Sequence, residues 1–275
     1  MFQLEKKVVL YRVGSGLYPE SDFIQEVLSD SCVFVMHYFG AMSQDFISSL
    51  LERDLVVISD VTHLLFDSEK MQYLSDNSHY LVSSLRKSGP FPDGGFISSK
   101  QHILGKPVKG IREDFFALRT AGIMSRGFVA RDDFDDDENY LLLKKAERML
   151  AASSPAAYGC SYLSKKILET VDVGVAAGKI KRNRLSLLGR LKGRLDLCDD
   201  ESAVSPYFYV GFKRLVDRDF VREELARKKI YCPIHWDTTW SDSPSTLSDL
   251  IFSIPCDARY GEEDMGRVAD IIVSC

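Results

Sequence analysis

Two groups of residues in this sequence could do chemistry. Asp60 closes the β-branched run Val56-Val57-Ile58-Ser59 and leads into Val61-Thr62-His63. Lys87 sits in the polar stretch Ser83-Ser84-Leu85-Arg86-Lys87-Ser88-Gly89-Pro90, just ahead of Asp93-Gly94-Gly95 and a second short apolar run. A lysine amine condenses with an aldehyde to give a Schiff base, and a carboxylate beside a pyridine nitrogen keeps that nitrogen protonated and the ring electron-accepting. Acid, lysine and glycine pair, in that order, fit a site for pyridoxal phosphate.

Each residue also has a plainer reading. Asp60 lies at the carboxyl end of a predicted parallel strand, where open α/β sheets place ligand contacts, but the same position suits a turn acid or a helix N-cap. His63 could stack on a cofactor ring or hydrogen-bond its phenolic oxygen, or it could be structural. A Schiff-base lysine reacts as the neutral amine, a form that burial and neighbouring cations favour, and Arg86 is adjacent to Lys87. The hydroxyls of Ser83 and Ser84 suit a phosphate, whereas Lys-Ser-Gly-Pro alone reads as a solvated turn. The ordered combination carries the chemical reading; the single residues do not.

The elements that would position them alternate. Val8–Val13, Val33–Met36 and Leu55–Ser59 read as strands, and Glu20–Leu28 and Asp45–Glu52 as helices. Tyr80–Ser83 and Gly95–Ser98 flank the lysine turn as two further strands. Near-continuous apolar strands alternating with helices imply a mostly parallel sheet covered by helices. Beyond Lys100, helical periodicity marks Phe115–Met124, Glu138–Ala152 and Ser161–Val171. The last part reads as strand Tyr207–Phe212, helix Asp219–Lys228, an extended piece Ile230–Trp236, a loop Ser241–Ser248 and a closing helix Asp264–Val273. The expected architecture is α/β, with a major domain over residues 1–170 and a smaller α+β domain over 171–275.

Other features limit the function classes. Arg131–Glu138 is an acidic run without the glycine and ligand spacing of an EF-hand loop, and reads as a linker into an acid-rich helix N-terminus. Lys179–Arg194 is basic, with Ile180, Leu185, Leu188 and Leu191 as its apolar stripe. It suits either anion or RNA binding or a helix whose basic face is solvated or paired with acids. The net charge of −5 argues against a general nucleic-acid binder. The six cysteines are scattered with no CxxC and read as reduced thiols, with no metal site. No apolar run nears the roughly 18 residues of a membrane span, and the N-terminus lacks the apolar core of a signal peptide. A cytoplasmic location is the expectation. No Walker loop, GxGxxG, HExxH or GxSxG is present to indicate another enzyme class.

Five segments, in order along nearly the whole chain, carry a family resemblance: His37-Tyr38-Phe39-Gly40; Val57-Ile58-Ser59-Asp60-Val61-Thr62-His63; Ser84-Leu85-Arg86-Lys87 with Pro92-Asp93-Gly94-Gly95; Arg182-Asn183-Arg184 before a leucine-rich stretch; and Ile254–Tyr260 with Asp264-Met265. The sequence resembles the DegT/DnrJ-like sugar aminotransferase branch of the fold-type-I pyridoxal phosphate enzymes. The resemblance implies that Lys87 is the Schiff-base lysine, that Asp60 partners the pyridine nitrogen and that His63 lies near the phenolic oxygen. It also implies that Ser83 or Ser84 is a phosphate-side hydroxyl and that His235 and Trp236 border the substrate. The implied reaction is transamination between an amino-acid donor and a keto-sugar or other carbonyl acceptor, in a homodimer. Family members begin with roughly a hundred further residues, a typical domain's worth, bearing the main phosphate cradle and a ring-stacking aromatic. This chain is expected to start near the strand before His37, and Gly14-Ser15-Gly16 does not make that cradle. A non-catalytic remnant serving as an interaction or dimerisation module, or an unrelated α/β enzyme or nucleic-acid binder using the basic helix, are the alternatives.

Overall fold

In a computed structural model of the chain, the structure describes residues 8–14, 16–19, 27–100, 105, 110–129, 136–152, 156–195, 197–198, 202–235 and 247–275. The chain forms two compact units. The smaller is Met1–Leu10 with Val82–Val171; the larger is Tyr11–Leu81 with Asp172–Cys275. The chain changes unit between Leu10 and Tyr11, between Leu81 and Val82 and between Val171 and Asp172.

The site-bearing strands are β1 (Cys32–Met36), β2 (Val56–Asp60), β3 (Tyr80–Ser84) and β4 (Gly95–Ser98), in a sheet of that order. β1 and β2 run parallel, with Val33 opposite Val57 and Met36 opposite Asp60. Helices α1 (Gln44–Leu51) and α2 (Ser68–Asn77) connect these strands. Ser43 caps α1 through its hydroxyl. Asp67 caps α2, with one carboxylate oxygen taking the Lys70 N–H and the other the Val204 N–H at 3.2 Å. Each cap satisfies an N–H that the helix itself leaves open.

In the larger unit, α6 (Val173–Leu191), α7 (Leu215–Arg227), the short α8 (Leu247–Leu250) and α9 (Glu262–Ser274) accompany an antiparallel sheet. That sheet has the order β5 (Leu197–Cys198), β6 (Tyr207–Gly211), β7 (Ile251–Pro255). Its core joins Leu187 and Leu191 to Phe208, Phe252, Val268 and Ile272. α6 buries Ile180, Leu188 and Leu191, as its periodicity predicts, but Leu185 is exposed and Leu187 is buried instead. Seven residues on from Ile180 returns to the same helix face, whereas five residues on is roughly 140° away. Two basic residues of this helix meet acids of α9: Arg190 pairs with Asp270 at 2.7 Å and Arg182 with Glu262 at 3.7 Å. Asn183 is buried and its amide nitrogen lies 3.1–3.2 Å from the carbonyls of Cys256, Asp257 and Tyr260. The motif Ile254–Tyr260 is thereby tied to α6.

The smaller unit holds β4, the packed pair α3 (Glu113–Val129) and α4 (Asp136–Ala151), and α5 (Tyr162–Thr170). Residues 131–135 of the acidic run lie outside the described residues, as does most of the expected helix Glu20–Leu28. The expected strand Val8–Val13 is corrected. Only Val13 bridges, to Pro19, and Val8 and Leu10 are exposed. A β-branched run forms a strand only when another strand offers its hydrogen bonds. Helix α2 and strand β7 were not expected. Among the described residues no helix is long and apolar enough to cross a membrane, and no group of side chains is arranged to hold a metal ion.

Candidate active site

In the larger unit, the ends of β1 and β2 build a small cluster. The His37 N–H donates to the Asp60 carbonyl at 3.2 Å, tying the two strand ends together. Asp60 is half-buried, and its Oδ1 accepts the Thr62 N–H at 2.9 Å. That is the turn role anticipated as the plainer reading, yet it occupies one lone pair of a group that has about four acceptor sites. His63 is buried, and its Nδ1 accepts the Phe39 N–H at 2.9 Å. A ring nitrogen that accepts carries no proton, so the neutral tautomer is assigned with its hydrogen on Nε2 and that nitrogen is a donor.

Phe39 is the hub of this cluster. Its backbone adopts φ 54°, ψ 19° in the left-handed region, an uncommon conformation for a residue with a side chain. Gly40 follows at φ +87°, where a Cβ would lie 3.1 Å from the Cβ atoms of Ala203 and Ser205. Lys70 Nζ donates to the Gly40 carbonyl at 2.9 Å and fixes the turn. The Phe39 ring packs on His63 at 5.6 Å and on Tyr209 at 5.4 Å, and meets His235 edge-on at 4.9 Å. Tyr207 packs on His63 at 5.0 Å, and its carbonyl accepts from Arg184 Nη1 at 2.7 Å. His235 shares a 2.5 Å hydrogen bond with Ser253 Oγ. Asp60, His63 and His235 thus fall in one unit around one turn. Trp236 lies outside the described residues.

His37 is buried, and among the described residues neither ring nitrogen has a hydrogen-bond partner. Burial holds its pKa down at about 4; the Lys70 ammonium adds to the depression, and the Ala41 backbone offsets part of it without forming a well-aligned hydrogen bond. A histidine that is neutral when folded binds fewer protons than the unfolded chain between pH 4 and its ordinary value near 6.5. Its contribution to stability is therefore complete above pH 6.5 and falls as pH drops towards 4, by about 3 kcal/mol in all. Urea melts at pH 7.0 and 4.5 should show wild type losing more stability than His37→Leu; equal losses would refute this assignment.

In the smaller unit, β3 runs into the turn Leu85–Lys87. The Leu85 N–H donates to the Gly94 carbonyl at 3.2 Å and the Ser88 N–H to the Leu85 carbonyl at 3.0 Å, so the turn closes on the glycine pair. Both glycines are required. Gly94 has φ +95°, and a Cβ there would meet Cys160 Sγ at 2.7 Å; a Cβ on Gly95 would sit 2.4 Å from the Ser83 carbonyl oxygen. Asp93 is buried and anchors the segment, accepting from Ser164 Oγ at 2.6 Å, Ser161 Oγ at 2.7 Å and the Ser161 N–H at 3.1 Å. Burial, then the Asp93 carboxylate, pushes the neighbouring Cys160 thiol pKa up.

Ser83 Oγ is buried without a hydrogen-bond partner among the described residues. Ser84 is half-buried and Lys87 exposed. The burial that a Schiff-base lysine was expected to have is therefore corrected, because the turn lifts Lys87 away from the buried Leu85 and Ser88. The expected residues divide between the two units: Asp60, His63 and His235 in the larger, Ser83, Ser84 and Lys87 in the smaller.

The roles of Phe39 and Tyr207 in this cluster went unread in the sequence. Phe39 had a local signal, its place inside His37–Gly40; Tyr207 is joined to His63 only through space.

No protein-family model matches the chain, and no curated protein matches it in sequence. Solved structures do. Spr1654 of Streptococcus pneumoniae, assigned as a sugar aminotransferase and solved in its PMP form, is 12% identical with a TM-score of 0.64 over 97% of this chain and 75% of its own. DesI, solved with its TDP-sugar product, is 16% identical with a TM-score of 0.61 over 97% of this chain and 68% of its own. Helicobacter pylori PseC, an aminotransferase of pseudoaminic acid biosynthesis, is 10% identical with a TM-score of 0.63 over 98% of this chain and 74% of its own. At these identities the likeness is one of fold: over 97% or more of its length the chain has the fold of these aminotransferases.

Proposed function

We propose that this chain binds pyridoxal phosphate and transfers an amino group from an amino-acid donor to a carbonyl acceptor. The observation that carries the reading is the strand-end acid Asp60, followed three residues on by a histidine whose Nδ1 accepts the Phe39 N–H and whose Nε2 is thereby the protonated nitrogen, on a fold shared with a protein solved in both PLP and PMP forms. Taken unit by unit, the residue types suit the group: in the larger, the Asp60 carboxylate for the pyridine nitrogen and the His63 Nε2–H for the phenolic oxygen; in the smaller, the Ser83 hydroxyl, without a hydrogen-bond partner among the described residues, for phosphate, and the Lys87 amine for the aldehyde. When bound, pyridoxal phosphate supplies that aldehyde and an electron-withdrawing ring.

Lys87 supplies the attaching amine. With an amino-acid donor in the site, the free Lys87 Nζ would take a proton from the donor's α-carbon as general base and later return one as general acid. Asp60 would pair with the pyridine nitrogen of the cofactor and favour its protonated form, and His63 would donate from Nε2 to the phenolic oxygen. Ser83 and Ser84 would serve the phosphate, and His235 would border the acceptor. DesI's TDP-sugar product supports a nucleotide-linked keto-sugar as acceptor. A cytoplasmic homodimer completes the proposal.

The test is to load the chain with pyridoxal phosphate, add single amino acids and follow conversion of the cofactor to its pyridoxamine form. Conversion with one or a few donors is the expected result. Binding without conversion by any donor would contradict the enzymatic reading and favour a non-catalytic module.

A further inference from the structure

The turn that carries Lys87 is held by a charge cluster that the reaction scheme above does not use. Arg86 Nη1 lies 2.7 Å from Glu147 Oε1, and Arg119 Nη1 lies 3.5 Å from the same oxygen. Arg119 also donates through Nη2 to the Arg86 backbone carbonyl at 3.4 Å. One carboxylate oxygen on α4 therefore gathers two guanidinium groups, one from the Lys87 turn itself and one from α3, which also holds the peptide unit joining Arg86 to Lys87. All four residues belong to the smaller unit. The two arginine side chains retain only 16% and 12% of their exposure, against 42% for Glu147.

We propose that Glu147 is a positioning residue for Lys87, acting through Arg86 and Arg119; this rests on the reading of Lys87 as the cofactor-attaching lysine. Without the carboxylate, two half-desolvated cations share one place and repel. Arg119 then withdraws from the Arg86 carbonyl, and the Lys87 backbone loses its fixing on the helix side. The backbone hydrogen bonds of Leu85 and Ser88 remain, so the turn persists while its aim loosens. A partly exposed ion pair contributes little to global stability, whereas a support behind a reacting group commonly changes its binding ten- to a hundredfold, by analogy with the outer-shell partners of metal ligands. The cluster should matter for attachment at Lys87 far more than for folding.

The experiment uses the full chain, with pyridoxal phosphate as the probe and borohydride reduction followed by peptide mass spectrometry to read occupancy at Lys87. Wild type, Glu147→Gln, Arg86→Gln and the double variant are compared, each with an apo melting curve. The expected result is an increase of about tenfold in the half-saturating concentration for Glu147→Gln, with apo melting within about 2 °C of wild type. The double variant should be no worse than Glu147→Gln alone, because Glu147→Gln already removes the Arg86–Glu147 contact that Arg86→Gln removes. Wild-type labelling with Glu147→Gln unchanged would overturn the positioning role alone, as would additive effects in the double variant. A loss of affinity that merely follows a fall in melting temperature would make Glu147 structural and overturn it too. Absence of specific labelling in wild type would overturn the reading of Lys87 and this inference with it.

Discussion

Asp60→Asn is expected to slow the amino-donor half-reaction by about 10²–10³-fold while leaving the chain folded. Asparagine keeps the side-chain oxygen that accepts the Thr62 N–H, so the turn after β2 and the tie between the Asp60 carbonyl and the His37 N–H are preserved. What is lost is the negative charge that favours a protonated pyridine nitrogen. An electrostatic partner fixed at the point where charge develops is worth about 2.7–4 kcal/mol in comparable sites, which sets the size of the effect. The melting temperature should stay within about 2 °C of wild type. Single-turnover rates with the best donor measure the first effect. An Asp60→Asn chain that reacts at the wild-type rate would show that Asp60 is a turn residue only.

Asp93→Ala should destabilise the protein by about 3 kcal/mol, a melting shift on the order of 10 °C. Its carboxylate takes three close hydrogen bonds, two from hydroxyls and one from the N–H of the α5 cap Ser161. Ser161 and Ser164 are themselves buried, so truncation leaves several desolvated donors without their acceptor, the costly direction in which to break such a network. Asp93→Asn keeps the shape and one acceptor oxygen, and should fall between the two. Because Asp93 adjoins the glycines that close the Lys87 turn, Asp93→Ala should also lose cofactor attachment; a variant that melts with wild type would refute the anchoring role.

The strands that frame the candidate site were legible because each is a short apolar or β-branched run bounded by polar residues or glycine; β1, β2, β3 and β4 all fall within a residue or two of expectation. Helices α6 and α9 were legible from their periodicity. α2 was not, because Ser68–Asn77 buries only Leu74 and carries little apolar signal. β7 was hidden because four of its five residues are buried, which erases the alternation that marks a strand, and because it ends in Pro255. Val8–Val13 misled for the opposite reason: its residues suit a strand, but strand formation depends on a partner.

The identities of Asp60, His63 and Lys87 as candidates came from residue type and order. Their settings did not. The hydrogen bond that fixes the His63 tautomer spans 24 residues, the Arg86–Glu147 pair spans 61 and the Asp93–Ser164 contact spans 71. No local pattern encodes partners so far apart. The glycine pair is intermediate: Gly94-Gly95 was visible as a motif, whereas its cause, the approach of Cys160 and of the Ser83 carbonyl, is visible only in three dimensions.

On the proposed function, Lys87 forms the Schiff base with pyridoxal phosphate. The most direct measurement is to mix the purified chain with the cofactor, record the visible absorbance, reduce with borohydride and locate the label by peptide mass spectrometry. The expected result is a saturable absorbance band, a label on Lys87 in preference to the other lysines, and loss of both in Lys87→Ala. A folded chain labelled evenly across its surface lysines, or not at all, would contradict it.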